Sequence, residues 1–102
     1  MKKAAARKAV GVEPALKKSN LARLRRIEGQ VRGIHRMVEE DRYCPDIIEQ
    51  VASVQQALRG VARSLMRNHL QHCATHAMVH GTPQEAGAMY DELLELIYKH
   101  LR

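Results

Sequence analysis

The sequence predicts an all-α protein, and three observations support this class. Apolar residues recur at alternating steps of three and four along two long segments, the pattern of one face of a helix. The 102 residues include no Trp, no Phe and only three Tyr, so aliphatic side chains must supply the core. Pro45 and Pro83 stand where the second and third segments begin, which suits the first turn of a helix.

Three helices are expected, and they span about residues 19–41, 45–80 and 83–101. Ser19 is a suitable N-cap for the first helix. Thr82, Pro83 and Glu85 have the spacing of a capping box at the start of the third. The second helix carries apolar residues on two sides, which is typical of the central helix of a bundle.

The N-terminal part of the chain differs from the rest in composition. Residues 1–18 hold six Lys or Arg and no sustained apolar periodicity, so we expect a mobile basic arm before a single domain at 19–102. The whole chain has a formal net charge of +6 and a pI near 9.8. This excess predicts a polyanionic partner, with double-stranded DNA as the first candidate.

Composition also excludes several classes of protein. No stretch approaches the roughly 18 apolar residues of a membrane span, and no signal peptide is recognisable at the N-terminus. Two cysteines are too few for a disulfide scaffold. We therefore expect a cytoplasmic protein without a membrane partner, whose thiols are free for burial, catalysis or metal binding.

Three residues form a candidate metal site, namely Cys44, His69 and Cys73. Helical geometry places Cys44 roughly 38 Å from His69 in the same chain, so one chain cannot close the site. Two copies of the second helix packed antiparallel would bring Cys44 of one to His69 and Cys73 of the other. Two thiolates and one imidazole favour Cu(I) over Zn(II), which usually takes four ligands. The alternative is that both thiols are buried apolar groups and His69 is a core histidine.

A second histidine series runs at four-residue spacing near the end of the same helix. His72, His76 and His80 could bind a borderline divalent ion such as Ni(II) or Zn(II) as a secondary metal site. The competing interpretation is a solvated helical face whose imidazoles lie favourably near the C-terminal end of the helix dipole.

Arginines give candidate DNA contacts on two helices. Arg23 and Arg26 flank the apolar seam of the first helix, and Arg59 and Arg63 belong to a stripe on the second. Such stripes are often only solvated, but the net positive charge favours DNA. No helix-turn-helix or zinc-finger pattern is present, so contacts that read backbone and shape are expected.

Three sequence segments together resemble the copper-sensing operon repressors of the CsoR type. These segments are Leu21 to Ile34, Tyr43-Cys44, and Asn68 to Cys73. The resemblance implies a three-helix protomer, an antiparallel four-helix-bundle dimer and a dimer-of-dimers tetramer. It further implies a repressor that binds operator DNA without metal and releases it when Cu(I) binds, which derepresses copper efflux and resistance genes.

The resemblance also implies roles for individual residues. Arg23 matches an arginine that contacts DNA, while a second basic position of the family falls on Gly60, next to Arg59. Tyr43 matches a tyrosine beside the first cysteine ligand. Glu92 matches a glutamate that hydrogen-bonds near the ligand histidine, provided that the loop after Gly81 is about three residues longer than usual.

Other functions stay open at this point. The family also contains nickel/cobalt and formaldehyde sensors, so the effector could be one of these, Zn(II) or a persulfide. A cysteine-dependent enzyme or a passive metal store is a more distant alternative. Neither an oxyanion loop nor an acid partner for a Cys/His pair is visible, and no ligand cluster repeats, so we expect the chain not to be an enzyme.

Overall fold

The structure is a computed structural model that describes residues 7–100. Its elements, in chain order, are α1 (Pro14–Glu39), α2 (Cys44–Asn68), a π-helical segment (His69–Ala74), α3 (Thr75–His80) and α4 (Pro83–His100). Residues 7–100 contain no strand. The residues that flank the π-helical segment keep right-handed helical dihedrals, so helical backbone continues from Cys44 to His80. The prediction of an all-α chain with three helices is confirmed.

The first helix begins earlier than predicted. It starts at Pro14 rather than at Ser19, because the ring of proline presets a helical φ at the first position of a helix. The carbonyl of Glu13 accepts the first helical bond, from the amide of Lys17 at 3.0 Å. The expected arm is therefore helical over residues 14–18, while residues 1–6 lie outside the described part of the chain.

The end of α1 lies close to the predicted position. The helix stops at Glu39, and Asp41 adopts a positive φ of 52°. This left-handed conformation turns the chain, and the amide of Arg42 donates to the carbonyl of Met37 at 3.0 Å. Cys44 then opens α2, one residue before the predicted start at position 45.

The π-helical segment is the part of the fold that the sequence did not predict. It widens the backbone over His69–Ala74, in the middle of what periodicity describes as one regular helix. The side-chain hydroxyl of Thr75, the residue after this segment, donates to the carbonyl of Leu70 within it at 2.9 Å. No proline or glycine marks this place, so local sequence signals could not reveal it.

The third predicted helix corresponds to α4, and its capping box is present. The Thr82 hydroxyl accepts from the amide of Glu85 at 3.2 Å, and the Glu85 carboxylate accepts from the amide of Thr82 at 3.3 Å. The helix runs to His100, and the predicted last residue, Leu101, lies outside the described part of the chain.

The chain divides into two compact units, each with its own small core. The first unit holds residues 13–66, and its core consists of Ile27, Val54 and Val61. The second unit combines residues 67–100 with residues 7–12, and its core consists of Cys73, Ala74 and Met89. None of the helices described for residues 7–100 is both long enough and apolar enough to cross a membrane.

Part of the predicted apolar seam remains exposed in the first unit. Leu24 and Ile34 pack against the core, whereas Val31 and Val38 do not. On α2, Leu58 and Leu65 are likewise exposed, although the periodicity assigns them to the seam. One chain thus leaves much of its aliphatic surface uncovered.

Candidate metal centre and arginine-lined groove

Two of the three candidate ligands lie in the π-helical segment. His69 is its first residue, and Cys73 lies four residues further along. Cys73 is buried against Met89 of α4, and the side chain of His69 is 23 % exposed. Short π-helical segments are rare and occur often at functional sites. The position of two candidate ligands in such a segment therefore supports a functional role for them.

Glu92 of α4 lies beside His69. Its Oε1 atom is 3.9 Å from the buried Nε2 of His69, which is too far for a hydrogen bond. Within the described residues, Nε2 has no hydrogen-bond partner. Because Nε2 faces the carboxylate, the other ring nitrogen, Nδ1, is the one left for a ligand. The two residues that the resemblance links are therefore neighbours in space.

The segment before α1 contacts the same unit, which the sequence did not indicate. The Asn68 side-chain amide donates to the carbonyl of Gly11 at 2.9 Å, and Asn68 is buried. Arg7 lies 3.6 Å from Glu92 and forms an ion pair with it. Because the Arg7 side chain is 85 % exposed, this ion pair contributes little to the stability of the fold. No local sequence signal marks either contact, because each joins residues that are far apart in the chain.

The third candidate ligand belongs to the other unit. Cys44 is exposed at the first position of α2, and the adjacent Tyr43 is 73 % exposed. Within residues 7–100 of one chain, no group of three His, Cys, Asp or Glu side chains could hold a metal ion.

The predicted DNA-contacting arginines separate into two pairs. Arg23 and Arg26 line an open groove of about 420 Å³ in the first unit. Its other lining residues are Ser53, Gln56, Ala57 and Gly60. Arg59 and Arg63 are exposed on α2 but are not among the residues that line this groove.

Gly60 makes room for Arg23 in the groove. A Cβ atom on Gly60 would lie 3.1 Å from Nη1 of Arg23, closer than an ordinary contact. Sequence reasoning missed Ser53 and Gln56, whose positions seven and four residues before Gly60 put all three on one face of α2. The groove thus offers two guanidinium groups with polar neighbours, a combination that suits phosphate oxygens.

A helical chain with free thiols, a mostly buried imidazole and a guanidinium-lined groove has the attributes of a metal-responsive DNA-binding protein. The family model described as a metal-sensitive transcriptional repressor matches residues 16–99. The chain belongs to this family of transcriptional repressors, and the prediction that it is not an enzyme is confirmed.

Individual relatives support the same assignment. The chain is 53 % identical over 73 residues to the copper-sensing transcriptional repressor RicR of Mycobacterium tuberculosis, covering 71 % of this chain and 76 % of RicR. It resembles the crystal structure of the copper-sensing repressor CsoR with Cu(I) from Geobacillus thermodenitrificans, at a TM-score of 0.80 and 35 % identity. That match covers 91 % of this chain and 94 % of the other.

A relative with a different effector has a related fold. The nickel-responsive transcriptional regulator InrS matches at a TM-score of 0.65 and 40 % identity, covering 76 % of this chain and 88 % of that one. Proteins with this fold therefore respond to more than one effector.

Proposed function

We propose that this chain is a Cu(I)-responsive repressor that binds operator DNA without metal and releases it when Cu(I) binds Cys44, His69 and Cys73. Release of the operator DNA would derepress genes for copper efflux and resistance. The repressor would act in the cytoplasm. The observation that carries the proposal is the proximity of Glu92 to His69, in the segment that also holds buried Cys73, in a chain whose relatives include copper-sensing repressors.

The donor set fits Cu(I). Two sulfur donors and one imidazole nitrogen are soft or borderline ligands, and three of them suit the low coordination number of Cu(I) better than a four-ligand Zn(II) site. The thiol of Cys73 is buried among apolar groups, which excludes water from that side of the site. When bound, the ion would join the donors into one three-coordinate centre.

We further propose that the site forms between two protomers. One chain offers no metal-binding group of three within residues 7–100, which supports a site that draws a donor from a second copy. In an antiparallel dimer, Cys44 of one protomer would meet His69 and Cys73 of the other. The exposed aliphatic residues Val31, Leu58 and Leu65 are suited to that interface and to pairing of dimers into a tetramer.

Glu92 and Tyr43 would support the ligands without binding metal. A proton on Nε2 of His69 would be held toward the Glu92 carboxylate, which keeps Nδ1 free to bind. Closing the 3.9 Å gap to hydrogen-bond distance would draw α4 toward the π-helical segment. Tyr43 adjoins Cys44 and is available to the completed site. Tenfold weaker DNA binding needs only about 1.4 kcal/mol of such coupling.

DNA would bind at the groove that contains Arg23 and Arg26. Two guanidinium groups in each chain, repeated by oligomerisation, would neutralise several phosphates per complex. Arg59 and Arg63 would add to the positive field from outside the groove.

A nickel-responsive repressor is the second candidate. The likeness to InrS favours it, because that regulator shares 40 % identity with this chain over most of its length. Two thiolates also accept Ni(II), although Ni(II) prefers more ligands in a tetragonal arrangement.

The test is a gel-shift titration with the promoter region of the chain's own gene, under anaerobic reducing conditions. Parallel samples receive Cu(I), Ni(II), Zn(II) or formaldehyde. We expect the metal-free protein to shift the DNA and Cu(I) alone to abolish the shift. Release by Ni(II) or formaldehyde instead of Cu(I) would overturn the proposal, and so would binding that requires copper.

The role of His69 is tested with His69→Ala. The variant should still bind Cu(I) through two thiolates but release DNA much less than the unchanged protein. His35→Ala is the matched control, because His35 is exposed on α1 and pairs with Glu39 at 3.0 Å, in the other unit. Full release by His69→Ala would contradict the proposed coupling.

A further inference from the structure

The second histidine series lies in one groove. His72, His76 and His80 line an open cavity of about 320 Å³ in the second unit, together with residues of α3 and the segment before α1. His72 belongs to the π-helical segment, and the other two belong to α3. The three imidazoles therefore share a surface that differs in donor type from the thiols of the proposed copper site.

Two of these rings already have a spacing that suits a common metal ion. The ring centroids of His76 and His80 are 5.2 Å apart, and the rings are tilted by 50°. Two imidazoles bound through nitrogen to one tetrahedral ion at about 2 Å would have ring centres on the order of 5 Å apart.

The two rings are also available. Within residues 7–100, neither His76 nor His80 takes part in a hydrogen bond or an ion pair, and both are exposed. Metal binding at these rings would therefore break no hydrogen bond or ion pair of the described residues.

His72 lies one helical turn before His76 and is held at the edge of the same groove. A Cβ atom added to Gly11 would lie 3.3 Å from Nδ1 of His72, so the backbone of Gly11 packs closely against this ring. Three ligands are not assembled, because no group of three metal-binding side chains occurs within residues 7–100. The pair His76 and His80 is the core of the candidate site, and His72 lines the same groove.

We propose that His76 and His80 form a site for a borderline divalent transition metal, such as Zn(II) or Ni(II), with water completing the coordination. Imidazole nitrogen without thiolate favours these ions over Cu(I), which prefers sulfur. The two sites of the chain thus differ in metal preference because their donor atoms differ.

Calorimetric titration with Zn(II), in the presence of a phosphine reductant, tests this site. The unchanged protein should bind one more Zn(II) per chain than His76→Ala or His80→Ala. His72→Ala should retain this ion with affinity reduced by less than about tenfold. His35→Ala, which removes an exposed histidine from the other unit, should bind as the unchanged protein does.

A further variant distinguishes Zn(II) binding by the histidines from Zn(II) binding by the thiols. Cys44→Ser should keep the histidine-dependent Zn(II), whatever the chain does with Cu(I) or with DNA. Equal Zn(II) stoichiometry in His76→Ala, His80→Ala and the unchanged protein would overturn the site, and so would loss of all Zn(II) binding in Cys44→Ser. Both histidines are exposed, and circular dichroism with His76→Gln and His80→Gln checks that the fold persists.

Discussion

The two units of the chain use helices in different ways. Residues 13–66 form regular α-helices whose core, Ile27, Val54 and Val61, follows the apolar periodicity of the sequence. The unit from residue 67 onward contains the π-helical segment, and a thiol belongs to its core. The arginine-lined groove therefore lies on regular α-helices of the first unit, whereas His69 and Cys73 lie where the backbone departs from α geometry.

The two buried asparagines show the same contrast. Asn20 of α1 has no hydrogen-bond partner for its side-chain amide within the described residues. Asn68, just before the π-helical segment, donates to the carbonyl of Gly11 across 57 residues of sequence. A buried amide that is satisfied organises its surroundings, whereas an unsatisfied one destabilises the fold unless another chain pairs with it.

The largest effect is expected from the core of the regular unit. Ile27→Ala should lower the free energy of unfolding by about 2–5 kcal/mol, because it leaves a cavity between α1 and α2. Denaturant unfolding at fixed protein concentration measures this, and Ile27→Val, at about 0.5–1.5 kcal/mol, is the graded control. The Cu(I) stoichiometry of the folded variant should not change. A loss no larger than that of Ile27→Val, or a folded Ile27→Ala variant that binds less Cu(I), would contradict this prediction.

A smaller loss is expected from the satisfied asparagine. Asn68→Ala removes the donor to the Gly11 carbonyl and should reduce stability by about 1–3 kcal/mol. Hydrogen exchange should show faster exchange at residues 67–80, while α1 is unaffected. Hydrogen exchange that accelerates equally in α1 would contradict the view that the second unit is stabilised by its own contacts.

The arginine-lined groove gives the next prediction. Arg23→Ala should weaken operator binding about tenfold, and it should lower the slope of log affinity against log salt by about one for each phosphate left without its arginine. Fluorescence anisotropy at several salt concentrations measures both quantities. Arg25→Ala is the matched control, because Arg25 lies on the same helix but does not line the groove. An equal reduction in both variants would mean that net charge, not the groove, determines binding.

The smallest effect is expected at the unsatisfied asparagine. Asn20→Ala should change the free energy of unfolding by no more than about 0.5 kcal/mol, because no hydrogen bond of the described chain is removed and relief of the unpaired buried amide offsets the packing that is lost. Thermal and denaturant unfolding provide the measurement, with Ser19→Ala as the neighbouring control. A decrease above about 1 kcal/mol would contradict this prediction.

Local patterns account for the parts of the fold that were predicted. The capping box of Thr82 and Glu85 depends on two residues three apart, and the core positions Ile27, Val54 and Val61 follow a regular step. The start of α1 at Pro14 was also a local signal, but the charge of the preceding residues obscured it. The prediction that Cys44 lies far from His69 in one chain also depended on a local pattern, since a helix converts sequence separation into distance.

By itself the sequence determined the helical class, the candidate donors and the excess of positive charge, since each depends on residue identity and near neighbours. Only the tertiary structure decided that Glu92 lies against His69, that Gly60 gives room to Arg23, and that the backbone widens into a π turn. The first two join residues far apart in sequence. The third reflects the packing of a whole segment, which no local pattern encodes.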